Sequence, residues 1–216
     1  MTAAVRVLLA EPDRPTRMGL RLALRDCGLD IAAEVGDSAA AVEAARRERP
    51  HLALVASDLP GGGIDAVRAI AAEVPATRIV VLTARQSGDE LVAAVLAGAS
   101  GYLGKDTGRS RLPQALAGVL AGEAAVPRRY TQYILEALRR RDARRALLPG
   151  RARDRLTDRQ WEVLNLLADG RSTAEIAHRL GISQVTARRH ISSVLPKLGM
   201  RDRAGAVELM RGRSRE

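Results

Sequence analysis

At 216 residues, 46% of them hydrophobic and 28% charged, the chain is long enough for one large globular domain or two ordinary ones, and no apolar stretch approaches the ~18 residues of a membrane span. The formal charge of +10 is uneven: residues 1–138 hold 16 basic and 16 acidic residues and residues 139–216 hold 19 and 9, so a polyanion partner is implied for the last third alone, an Arg-rich composition without a ligand being the other reading. A single cysteine, Cys27, excludes an intrachain disulfide and a clustered zinc site, and the start MTAAVRVLLAEP lacks a secretory pattern, so a cytoplasmic chain with no cofactor, no metal and no membrane partner is expected.

In chain order, VRVLLA (5–10), LDIAAEV (29–35), HLALVA (51–56), RIVVLT (78–83) and SGYLG (100–104) read as strands. Several are apolar on both faces, as in a covered parallel sheet. Helical patterns fill the intervals at 14–27, 38–48, 63–74, 87–97 and 108–122. Five β–α units in a row predict a doubly wound α/β domain over 1–123, with Cys27 as a small buried hydrophobe. The third strand runs into LALVASDLPGGG, at the sheet edge where ligands of such domains sit. Asp58 in that loop is therefore a candidate carboxylate.

From 124 to 155 the texture changes to a linker. Tyr130, Tyr133, Ile134, Ala137 and Leu138 line one face of a helix over 129–146, which packs on its own domain or forms a dimer contact. ALLPGRARDR, with Pro149 and Gly150, reads as a flexible connection. Residues 156–216 are all helical in pattern. LTDRQWEVLNLLADG has Thr157 as N-cap and Gly170 as stop, with Trp161, Leu164 and Leu167 as core residues. STAEIAHRLG has Ser172 and Glu175 as a capping box and Gly181 as terminator; the next helix, 182–199, starts from Ser183, and a short one covers 202–210. Two short helices joined by a tight glycine turn predict a helix-turn-helix within a four-helix domain. Pro196 predicts a kink or stop near the end of its second helix.

The stretch from LTDRQWEVLNLLADG through VLPKLGMRDRAGAV resembles the LuxR-type helix-turn-helix, and with VVLTA and LAGASGYLGKD the whole chain resembles a response regulator of the NarL/FixJ family. The resemblance implies a flavodoxin-like (βα)5 receiver that accepts a phosphoryl group on an aspartate at the end of its third strand. Two acids after the first strand hold Mg²⁺ in such receivers, and a Thr and a Lys receive the phosphoryl oxygens. On this chain the acidic pair falls on Glu11 and Pro12, the acceptor on Ala56, the Thr and Lys on Thr83 and Lys105, and the aromatic switch on Tyr102. Asp58 comes two residues too late and reads as a solvated loop acid. Glu11 and Lys105, left over from the site, are expected to pair, and no catalytic residue is expected. Tyr102, with the fourth helix and the fifth β–α unit around it, is a candidate interface.

In the same resemblance Arg188, Arg189 and Ser192 face bases, while Gln184, Thr186 and Thr173 hold phosphates of double-stranded DNA carrying paired half-sites. His190 reads as a packing or surface residue, and His51 and His178 as exposed residues without partners. The leading expectation is a homodimeric transcription regulator that is not an enzyme and is controlled through dimerisation, a small-molecule ligand or a protein partner. The alternatives are a phosphorylation-dependent regulator using Asp58 and a module that no longer binds DNA and titrates other regulators.

Overall fold

The computed structural model describes residues 4–108, 111–148, 150 and 155–212. Half of the connection expected over 146–155, residues 149 and 151–154, falls outside these residues. The chain divides into two compact units, Met1–Ile134 and Leu135–Glu216.

The first unit holds five parallel strands, β1 (Arg6–Ala10), β2 (Asp30–Val35), β3 (Leu52–Ala56), β4 (Arg78–Thr83) and β5 (Gly101–Gly104), in the order β2-β1-β3-β4-β5. Helices α1 (Arg14–Asp26), α2 (Ser38–Glu48), α3 (Gly63–Glu73), α4 (Gly88–Leu96) and α5 (Arg111–Leu120) connect and follow them. The period-two alternation of the strands sorts their side chains into two cores. Leu8, Val55, Val81 and Tyr102 pack with Ala41, Ala45, Val67, Ile70 and Leu91 from α2, α3 and α4. Val7, Leu9, Leu54 and Leu82 pack with Leu24 of α1 and Leu112, Leu116 and Val119 of α5. Strand order reverses between β1 and β3, so the crevice for a ligand lies at the carboxyl ends of these two strands.

Asp13, Asp37 and Ser87 cap α1, α2 and α4 by accepting from Thr16, Ala40 and Glu90 amides. At the start of α3 the chain returns so close to β3 that a Cβ on Gly63 would stand 2.2 Å from the Ala56 carbonyl oxygen. Only glycine fits there. After α5 the chain runs back beside β5: the Tyr102 amide donates to the Ala125 carbonyl at 2.8 Å and the Ala125 amide to Ser100 at 3.1 Å. This pairing covers an edge that would otherwise present open backbone groups. A 3-10 turn (Arg128–Tyr130) then leads into α6 (Thr131–Ala146), two residues later than the sequence pattern suggests. Tyr130 and Ile134 pack against the first core, which supports own-domain packing for the start of this helix.

Two surface readings are corrected. Cys27 is exposed: as C-cap of α1 it sits beyond the buried Ala23 and Leu24, its Sγ 2.9 Å from the Ala23 carbonyl. His51 is exposed but has partners, because Nδ1 accepts the Arg6 amide at 3.0 Å and its amide donates to Arg6 at 2.9 Å.

The second unit holds α7 (Asp158–Ala168), α8 (Thr173–Arg179), α9 (Gln184–Lys197) and α10 (Arg203–Met210). Thr157 with Gln160, and Ser172 with Glu175, form complete capping boxes, and Ser183 caps α9. Trp161, Leu164 and Val194 lie in one cluster, and Val163, Leu167, Ile176, Ala187 and Ile191 in a second. Pro196 falls in the last turn of α9, which ends one residue later; the proline supplies no amide to the Ser192 carbonyl four residues back.

Candidate functional sites

The crevice at the switch point gathers residues from three loops, those after β1, β3 and β5. Glu11 directly follows β1, and its side chain is fully buried. Lys105, one residue beyond β5, is 12% exposed and reaches it, with Nζ 3.0 Å from Oε1 and 2.9 Å from Oε2 of Glu11. The ammonium is aligned to hydrogen-bond Oε1, which also accepts the Asp13 amide at 3.0 Å, while Oε2 is buried without a hydrogen bond. The same Nζ donates to Asp58 Oδ1 at 2.8 Å. Asp58 is therefore not a free loop acid: it pairs with Lys105, although its side chain is 57% exposed. Burial alone would lower the Lys105 pKa, but the hydrogen bonds and charges of Asp58 and Glu11 outweigh it and hold the ammonium above the ordinary lysine value. Ala56 ends β3 with no exposed surface, and Pro12 adds no donor.

A divalent cation of the Mg²⁺ class takes six oxygens in near-octahedral geometry. The residues here do not fit one, because Ala56 and Pro12 offer no side-chain oxygen and the Glu11 and Asp58 carboxylates face the same ammonium. Among the described residues no three His, Cys, Asp or Glu side chains gather as a metal site.

Beside the crevice, Thr83 Oγ1 stands 2.9 Å from Glu90 Oε2 and 3.0 Å from the Arg85 carbonyl. Tyr102 is fully buried, which corrects its expected place on an interface. Its hydroxyl donates to Glu90 Oε2 at 2.7 Å and accepts the Ser87 amide at 3.0 Å. Burial and the Glu90 carboxylate push the Tyr102 phenol well above its usual range. Tyr130 closes over Tyr102 edge to face, with centroids 6.5 Å apart.

In the second unit, α8 ends where the Ile182 amide donates back to Ala177 at 3.0 Å, with Gly181 at φ +63°. That left-handed residue turns the chain into α9. Ala187, Ile191 and Val194 fix one side of α9 to the core, leaving Arg188, Arg189 and Ser192 exposed on the other; Gln184 is exposed as the first residue of the helix. Thr186 and Thr173 are half-buried, and Thr186 Oγ1 is 2.9 Å from the capping Ser183 hydroxyl.

Residues 7–117 match the model of the response regulator receiver domain, and residues 154–210 match that of the bacterial regulatory proteins of the luxR family. The chain is 33% identical over 215 residues to the DNA-binding transcriptional activator DevR/DosR of Mycobacterium tuberculosis, spanning 97% of each chain. The chain belongs to the NarL/FixJ family of DNA-binding response regulators. The nitrate/nitrite response regulator NarP of Escherichia coli is 32% identical, over 94% of this chain and 93% of its own. Among solved structures, a two-component response regulator of the LuxR family from Aurantimonas sp. is 33% identical with TM-score 0.57, covering 63% of this regulator and 99% of that chain. RcsB from Salmonella enterica serovar Typhimurium, in a structure bound to promoter rprA, is 24% identical with TM-score 0.55, covering 96% and 98%, a likeness of fold.

Two residues that tie these regions together by hydrogen bonds have no part in the sequence analysis. Glu90 is a common acid in the first turn of α4, and only the fold brings Thr83 and Tyr102 to it. Gln160 is buried between helices: its Nε2 donates to Ser193 at 3.0 Å and its Oε1 accepts from Lys197 at 2.7 Å, locking α9 to the start of α7. Its place at the third position of a capping box was the available signal.

Proposed function

We propose that this regulator reads DNA in a sequence-specific way and that its receiver works without aspartyl phosphorylation. The observation that carries the reading is that Ala56 ends β3 beside a Lys105 already matched by two carboxylates. A methyl group is no nucleophile, and phosphoryl transfer tolerates little misplacement of its parts. With intact protein, acetyl phosphate and Mg²⁺, mass spectrometry is expected to show no added phosphate. Ala56→Asp alone is also expected to stay unmodified, because Pro12 still supplies no ligand for the cation. A stoichiometrically phosphorylated Ala56→Asp protein would show that Pro12 is no obstacle.

A second reading rests on Asp58, whose carboxylate lies within hydrogen-bond reach of Lys105. It takes Asp58 as a displaced acceptor. A phosphate on the wild-type protein that disappears in Asp58→Asn would establish this reading and remove the first.

For DNA, α9 is the element that enters the major groove. Arg188, Arg189 and Ser192 read base edges, and Gln184, Thr186 and Thr173 hold phosphates. A helix-turn-helix protein reads two half-sites as a two-fold dimer. Since Tyr102 is buried, the surfaces left for a standing dimer are α4 and α5 and the exposed side of α6, where Leu135 and Leu138 are each 43% exposed. Light scattering of the free protein at micromolar concentration is expected to give a dimer; a monomer would point to a ligand- or partner-triggered switch.

A further inference from the structure

Val185 is 72% exposed, more than any other large hydrophobic residue described, and it is the second residue of α9. A lone exposed apolar side chain means nothing by itself. Its position is what carries weight. At 3.6 residues per turn, Val185, Arg188, Arg189 and Ser192 follow the i, i+3, i+4, i+7 pattern of one helix face, with Val185 between the two arginines in angle. The face turned away from them carries the buried Ala187, Ile191 and Val194. The neighbouring hydroxyls of Ser183 and Thr186 are engaged with each other at 2.9 Å, and Ser183 also caps the helix. The leading tip of this face therefore presents an isopropyl group.

We propose that Val185 is a specificity residue that reads the C5-methyl of a thymine in each half-site. This rests on the DNA reading by α9 proposed above. Valine has neither donor nor acceptor, and the thymine methyl is the one apolar feature that a base pair shows in the major groove. N-terminal residues of a recognition helix are those that meet base edges, so the second residue is placed for it. A β-branched side chain is stiff at χ1 and loses little freedom on contact. The arginines of the same face would read guanines of the same half-site, which makes the expected motif one of guanine and thymine together.

The test uses full-length protein and a duplex selected by it from a randomised pool. Each thymine of that duplex is replaced in turn by deoxyuridine, which removes the methyl and nothing else. In each half-site one position is expected to cost the wild type about fourfold in affinity, the worth of one buried methyl-sized group. Val185→Ala, a surface change that raises helix propensity, is expected to bind thymine and deoxyuridine alike at that position while still selecting the same guanines. Val185→Thr, which keeps one methyl, is expected to fall between. No methyl-sensitive thymine in the wild type, or a sensitivity that persists in full in Val185→Ala, would overturn the role of Val185 while leaving the DNA reading intact. If the wild type selects no motif at all, the DNA reading fails and this inference fails with it.

Discussion

Lys105→Met is expected to destabilise the receiver by about 3–5 kcal/mol, the range for removing one partner of a buried ion pair. The reason lies on the other side of the pair. The Glu11 side chain is fully buried, its Oε2 has no hydrogen bond, and Lys105 is the cation that faces both its oxygens. Asp58 is the lesser partner, since more than half of its side chain is in water and an exposed ion pair is worth little. Asp58→Asn should therefore change stability by less than about 1 kcal/mol. Adding Glu11→Gln to Lys105→Met should recover most of the loss, because the amide oxygen can still accept the Asp13 amide while the buried charge is gone. All three tyrosines, Tyr102, Tyr130 and Tyr133, lie in the first unit and the single Trp161 in the second. Urea unfolding followed by the tyrosine near-ultraviolet signal thus reports on the receiver. The pH dependence has a definite sign. The folded Lys105 pKa lies above the ordinary 10.5, so the contribution is complete below that value and fades as pH rises through the raised folded pKa. A Lys105→Met protein as stable as wild type at neutral pH would show that Glu11 does not need its cation.

How much of this was legible in the sequence depends on the range of the interaction. The strands and the capping boxes are local patterns, and Thr157, Ser172 and Ser183 cap the helices their spacing marks. The Glu11–Lys105 pair was legible because Ala56 and Pro12 remove the other partners that the family supplies. The reach of Asp58 was not read, because Asp58 lies in the turn after β3, where strand alternation no longer says which way a side chain faces. The burial of Tyr102 was not read because the core around it is assembled from distant parts of the chain, from Leu8 to Tyr130. Glu90 carries no local mark that separates it from other polar residues of a first helical turn, and the capping-box place of Gln160 does not say what its side chain meets across the domain. Their roles come from what tertiary packing sets beside them.

Arg188→Ala and Arg189→Ala are each expected to cost between about fivefold and more than a hundredfold in affinity for the preferred sequence, the ~1–3 kcal/mol of a bidentate guanine contact. Both guanidinium groups stand on the exposed side of α9. The helix beneath them is held by buried residues and by Gln160, so each truncation removes a contact without loosening its platform. A base reader and a phosphate holder leave different traces. Losing a base reader flattens the preference at one position of each half-site and leaves nonspecific binding almost unchanged. Losing a phosphate contact weakens every sequence alike and lowers the salt slope by about one. Gln184 and Thr173 carry no charge, so alanine there should weaken binding modestly, with the motif and the salt slope both kept. Binding-site selection with each variant, repeated at two salt concentrations, separates these outcomes. If both arginine variants return the wild-type motif and differ only in salt slope, Arg188 and Arg189 hold the backbone, and sequence must be read by the other residues of that helix face.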